Sequence, residues 1–89
     1  GGDLAGVAAA HGRIDLAERL AAESLAQARR THDRWSEGRA LVTLADLRAT
    51  RGERATSRAT YEEALAVWRE LRLPRRIAQV EDALARLTR

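Results

Sequence analysis

The sequence predicts an all-α fold, a solenoid of antiparallel helix pairs with about five helices in one domain over residues 1–89. Three observations predict it. Apolar residues, mostly alanine and leucine, recur at three-and-four spacing, the period of a one-sided helix. Glycine, proline and short polar breaks divide these stretches. Blocks of residues also recur 40 positions apart. Strands would need β-branched and aromatic runs between turn residues. This chain has only three aromatics, Trp35, Tyr61 and Trp68.

The first expected helix is short, about 3–10, with Asp3 available as an N-cap. His11-Gly12 ends it, because Gly12 suits a left-handed position just past a helix. The second runs over about 13–30, with a stripe of Ile14, Ala17, Leu20, Ala21, Ser24, Leu25 and Ala28. Thr31, His32 and Asp33 break the chain again, and Asp33 can cap the third helix over about 34–51. That helix carries Leu41, Leu44, Ala45 and Arg48, flanked by Val42 and Leu47, and Gly52 closes it. The fourth, about 54–72, sets Ser57, Tyr61, Ala64, Leu65, Trp68 and Leu71 on one side. Pro74 fits the first turn of the fifth helix, where its missing N–H would be unpaired anyway. Ile77, Val80, Leu84 and Leu87 form that helix's apolar face. Short connections make successive helices antiparallel.

The internal repeat is the strongest signal. Leu4-Ala5, Leu44-Ala45 and Leu84-Ala85 share a spacing of 40, as do Val7, Leu47 and Leu87. Gly12 and Gly52 keep the same register, and Leu25 matches Leu65. The series Leu41, Leu44-Ala45, Gly52, Ser57, Tyr61, Ala64 resembles the tetratricopeptide repeat. In that family helix A carries a large residue, then Leu with a small residue, and helix B carries a small–aromatic–Ala series. The first unit keeps Leu4-Ala5, Gly12, Ala17 and Ala21 without the aromatic, and the third keeps only its helix A. The chain therefore reads as about two repeats cut out of phase from a longer protein. Departures from the family are the period of 40 in place of 34, Leu41 and Arg48 at aromatic positions, and the displaced Pro74.

The resemblance implies a non-catalytic protein–protein interaction or assembly module. Long repeats of this kind resemble those of bacterial transcriptional regulators, which implies a cytoplasmic regulatory protein. The alternative is a ligand- or peptide-sensing segment of a transcriptional activator. Helix A lines the concave groove in the family, which assigns partner contacts to Arg39, Val42, Asp46, Ala49, Thr50, Gln79, Asp82 and Arg86. The carboxylate clamp of chaperone-binding members needs lysine and asparagine. This chain has neither, and Asp46 stands at a clamp asparagine position. An uncovered last helix would expose Ile77, Val80, Leu84 and Leu87, and a two-fold contact between copies would cover them, making a homo-oligomer. Trp35, at a helix start, is either packed under the preceding turn or a partner anchor.

Other chemistry finds little footing. With no cysteine and only His11 and His32, neither a zinc site nor a disulfide frame is expected. Neither histidine has a nucleophile or orienting partner spaced near it. Glu62-Glu63 and Glu81-Asp82 are adjacent on helices and diverge. No catalytic residue, metal or cofactor is assigned, and the chain reads as no enzyme. The net charge is +3, but acidic residues are interspersed among the arginines. The arginines, with Arg29-Arg30 and Arg72 at helix C-termini, read as solvated faces and dipole partners, not a nucleic-acid patch. No apolar stretch approaches the roughly 20 residues of a membrane span.

Overall fold

The computed structural model describes residues 2–88, with side chains over 10–88. Among these residues the chain is all helical. It has four helices, α1 (Gly2–Arg30), α2 (Arg34–Thr50), α3 (Arg54–Leu71) and α4 (Pro74–Leu87). The expected break at His11-Gly12 is absent. Residues 2–30 form one continuous 29-residue helix, so the first two expected helices are one. Asp3 falls inside that helix instead of before it. The side chains of Leu4-Ala5 and Val7 lie outside the described residues. The physical reason for the continuity is local. Gly12 meets nothing within 4 Å of a built Cβ, so no neighbouring element forces the turn, and helical flanks of alanine, leucine and arginine carry the helix through it.

The three remaining turns share one construction. Each contains a single left-handed residue, at His32 (φ 57), Gly52 (φ 80) and Arg72 (φ 57). The N–H after it bonds back five residues: Asp33 to the Ala28 carbonyl at 2.9 Å, Glu53 to Arg48 at 2.9 Å and Leu73 to Trp68 at 3.1 Å. This is the Schellman closure of a helix C-terminus. The helix that follows starts at once. Asp33 caps α2, accepting from the Ser36 N–H at 3.1 Å and its hydroxyl at 2.6 Å. These bonds hold the Asp33 carboxyl below its ordinary pKa. Pro74 occupies the first turn of α4, as its sequence position predicts.

Neighbouring helices run antiparallel. Between α1 and α2, Arg29 meets Glu37 while Arg51 meets Asp15 and Glu18. Between α2 and α3, Arg34 meets Glu70 while the buried Ser57 hydroxyl donates to the Ala45 carbonyl at 2.7 Å. Partners step in opposite directions along each pair, which only antiparallel axes allow. Ser57, Tyr61, Ala64, Leu65 and Trp68 are buried as their stripe predicts. They join Leu41 and Ala45 of α2 and Val80 and Ala83 of α4 in one core, with Leu25 of α1 packed on it.

Two faces differ from expectation. Val80 is 2% exposed, and Ile77, Leu84 and Leu87 are half-buried against the same core. The apolar stripe of α4 thus packs on the core of its own chain, with Ile77, Leu84 and Leu87 left partly exposed. In α1, Leu20 was expected on the inner stripe but is 52% exposed. Ala21 and Ala28 are buried and Leu25 packs on the core, so the inner face of α1 runs through these three residues.

Candidate binding surfaces

Two concave surfaces run along α2, and a third lies at its C-terminal end beside Ala10, His11 and Ile14 of α1. The first is a cleft of about 210 Å³ between α2 and α4, lined by Val42, Asp46, Tyr61, Arg76, Gln79 and Arg86 among others. Four of the eight expected groove residues meet there: Val42, Asp46, Gln79 and Arg86. Asp46 accepts a hydrogen bond from the Tyr61 hydroxyl. Burial, then that bond and the Asp46 charge, hold the Tyr61 phenol well above its ordinary pKa. Asp46 is therefore committed to orienting Tyr61 before any partner arrives. Arg86 carries Asp82 with it through an i,i+4 pair at 2.6 Å, so Asp82 neutralises Arg86 from outside the cleft wall. Ala49 and Thr50 lie beyond the cleft at the end of α2. The Thr50 hydroxyl donates to the Asp46 carbonyl at 3.0 Å.

The second surface is a trough of about 440 Å³ between α1 and α2. Ala17, Leu20, Ala21, Trp35, Arg39 and Ala40 are prominent in its lining. It holds two of the exposed large apolar side chains, Leu20 and Trp35, the latter 44% exposed. Arg39, expected in the cleft, belongs to this trough. Trp35 is thus a wall of the trough and not a core residue. Its ring is braced by cations: the Arg39 guanidinium lies 5.3 Å from its centroid and that of Arg76 lies 5.2 Å away. Arg76 also lies 5.3 Å over Trp68. One arginine on α4 therefore bridges the exposed tryptophan of α2 and the buried one of α3. Cation–π contacts of this kind are worth about 0.5–2 kcal/mol each.

Sequence reasoning passed over Arg76 and Gly38. At Gly38 an added Cβ would stand 2.6 Å from the Trp68 ring. A glycine inside a strong helix was the available signal, because it costs about 1 kcal/mol against alanine unless packing demands it.

Six of the arginines are held by acidic partners. Arg29, Arg34, Arg48, Arg51, Arg69 and Arg86 each meet a carboxylate. Arg48, at a position where the tetratricopeptide pattern has an aromatic, is half-buried. It donates to the Thr60 hydroxyl at 2.7 Å and pairs with Glu18 at 3.5 Å, tying α1, α2 and α3 together. Among the described residues, no group of three or more histidine, aspartate and glutamate side chains is placed to hold a metal ion. No helix there is long and apolar enough to cross a membrane. Among known proteins, no family model matches the chain, and neither does any curated protein or solved structure.

Proposed function

We propose that this chain is a stretch of tetratricopeptide-type solenoid, a non-catalytic module for protein–protein interaction and assembly within a bacterial cytoplasmic regulator. The α1–α2 trough carries the reading. It sets a half-exposed tryptophan beside an exposed leucine over an alanine floor. An aromatic anchor on a concave apolar surface is the usual centre of a binding hot spot. The turn spacing of 20 residues, at 32, 52 and 72, supports the solenoid part of the proposal, because solenoids stack equal units.

Panning a displayed peptide library against the whole chain tests this. The expected result is a set of peptides bound at least tenfold more weakly by Leu20→Glu, which places a charge in the trough. Peptides that bind the variant equally, or none above background, would refute it.

A second reading, sensing of a small ligand or peptide, draws on the α2–α4 cleft, where Asp46, Gln79, Arg76 and Arg86 converge. A ligand at a hundred times its Kd raises stability by about 2.7 kcal/mol. Thermal melts with free amino acids and short charged peptides should then show a shift that Asp46→Ala abolishes. A panel without any shift removes this reading.

A further inference from the structure

The trough has a counterpart elsewhere in the fold, and the counterpart is filled. The α2–α4 cleft is lined on its α3 and α4 sides by Tyr61, Gln79, Val80 and Ala83. Forty residues earlier stand Ala21, Arg39, Ala40 and Thr43, and all four line the α1–α2 trough. So α1 and α2 present the same surface that α3 and α4 present. What covers it in the second case is α2, through Val42 and Asp46. What would cover it in the first case, by the same register, is the segment around Gly2 and Gly6. That segment repeats α2 in sequence, with Leu4-Ala5 for Leu44-Ala45 and Val7 for Leu47.

The turns give the same answer independently. Left-handed residues fall at 32, 52 and 72. The next position back in the series is 12, and it holds a glycine, the residue that takes this conformation without steric cost. Yet α1 runs straight through Gly12. Arg51, at the far end of α2, pairs with Asp15 and Glu18. Ala10, His11 and Ile14 line a pocket with Thr50, Arg51 and Glu53 at that end, so the helix before residue 10 runs on past the α1–α2 pair, about 12 Å at 1.5 Å per residue. On a straight α1, residues 2–10 continue the helix axis and do not fold back onto their own trough.

We propose that the trough is the seat of residues 2–10 of a second copy of this chain, two chains exchanging these segments reciprocally. This deepens the reading of the trough as a binding surface and rests on it. Exchange of an identical element across an opened hinge gives a closed two-fold dimer at low energetic cost. Gly12 is the hinge. Helical Gly12 is the open form, and left-handed Gly12 would be the closed form, with the segment folded onto its own chain.

The chain lacks cysteine, so cross-linking can read the arrangement directly. Ser57 and Ala45 touch through the 2.7 Å hydrogen bond, and their counterparts 40 residues earlier are Ala17 and Ala5. Full-length Ala5→Cys and Ala17→Cys chains, mixed and oxidised, should form a disulfide between unlike chains. Sedimentation should show the unmodified chain as a dimer at micromolar concentration. A chain beginning at residue 11 should be monomeric, with Trp35 emission shifted to the red. Gly12→Ala favours the straight helix and should tighten the dimer about fivefold per hinge, given about 1 kcal/mol between glycine and alanine in a helix. A monomer at all concentrations overturns the proposal. So does a disulfide that closes only within one chain carrying both cysteines, or a shortened chain that dimerises as well as the parent. Should exchange fail while library peptides still discriminate Leu20→Glu, the trough remains a binding surface and only the partner assignment falls.

Discussion

Replacing Gly38 with alanine tests how α2 and α3 are fitted together. The new methyl would stand 2.6, 2.7 and 2.9 Å from three atoms of the Trp68 six-membered ring. Tight but real contacts begin near 3.0 Å and ordinary ones near 3.4 Å, so the ring must retreat by about 0.4–0.8 Å in a close-packed interior. Trp68 has little freedom to do so. It is 1% exposed, and Arg76 lies over its ring. Overpacking of this kind costs about 1–3 kcal/mol. Alanine in place of a helical glycine returns about 1 kcal/mol. The expected net effect is therefore a loss of up to about 2 kcal/mol, set against the gain of about 1 kcal/mol that an unobstructed site would show. For a domain of this size each kcal/mol lowers Tm by roughly 4–8 °C. Urea and thermal unfolding followed by circular dichroism and tryptophan fluorescence would measure it. The control is Gly12→Ala, where a Cβ meets nothing within 4 Å, and where up to about 1 kcal/mol of stabilisation is expected in the helical state. If Gly38→Ala gained about 1 kcal/mol, as Gly12→Ala is expected to, Trp68 would not be seated on the α2 backbone. The account of the core would then be wrong.

Three further outcomes follow from individual contacts. Arg72 is left-handed at φ 57 without being glycine, so Arg72→Gly should stabilise by about 0.5–1 kcal/mol, while Gly52→Ala, at φ 80, should destabilise by about 1–2 kcal/mol; denaturant midpoints decide both. The Tyr61 phenol has its pKa raised in the folded state, by burial first and by Asp46 second. The stability it contributes is thus complete below its ordinary value of 10.0 and is lost as pH rises above it. Tyr61→Phe should flatten that part of the alkaline unfolding curve and cost about 1 kcal/mol at neutral pH; an unchanged curve would show that the phenol is not held by Asp46. Arg76→Ala should lower stability by about 1 kcal/mol and alter the fluorescence of both tryptophans, and a spectrum identical to the parent's would disprove the bridge.

The middle of the chain was the most legible part. From Asp33 to Leu71 the helices, the caps and the buried faces follow from three-and-four spacing with a capping aspartate and a terminal glycine. Strong local signals and tertiary packing agree there. They part at the two ends. Glycine at position 12 permits a turn or a helix, and sequence cannot choose when the choice depends on whether something packs beside it. In α4 the stripe was read correctly, but its direction depends on the left-handed turn at Arg72, and arginine carries no signal for that conformation. Of the cleft, Val42, Asp46, Gln79 and Arg86 were legible through the resemblance to the tetratricopeptide groove. Arg39 belongs to the neighbouring trough because α1 and α2 leave that surface open, a property of packing and not of register.

Residues 28, 48 and 68 show how a strict backbone period tolerates such different side chains. Each accepts the same closing hydrogen bond on its carbonyl, yet they are alanine, arginine and tryptophan. The fold accommodates them by changing what stands opposite. Trp68 meets Gly38, which has no side chain to give way. Arg48 meets Thr60 and Glu18, which satisfy its guanidinium. Ala28 needs neither and is 2% exposed. Because the backbone bond does not involve the side chain, the turn can be kept while the volume is exchanged between partners. The period is therefore a property of the turns, and the complementarity of each interface is set pair by pair. On that logic the α1–α2 trough is shaped by Ala21 and Ala40 to receive a helix with small residues at the contact, and Gly2 and Gly6 are the residues that the register brings to it.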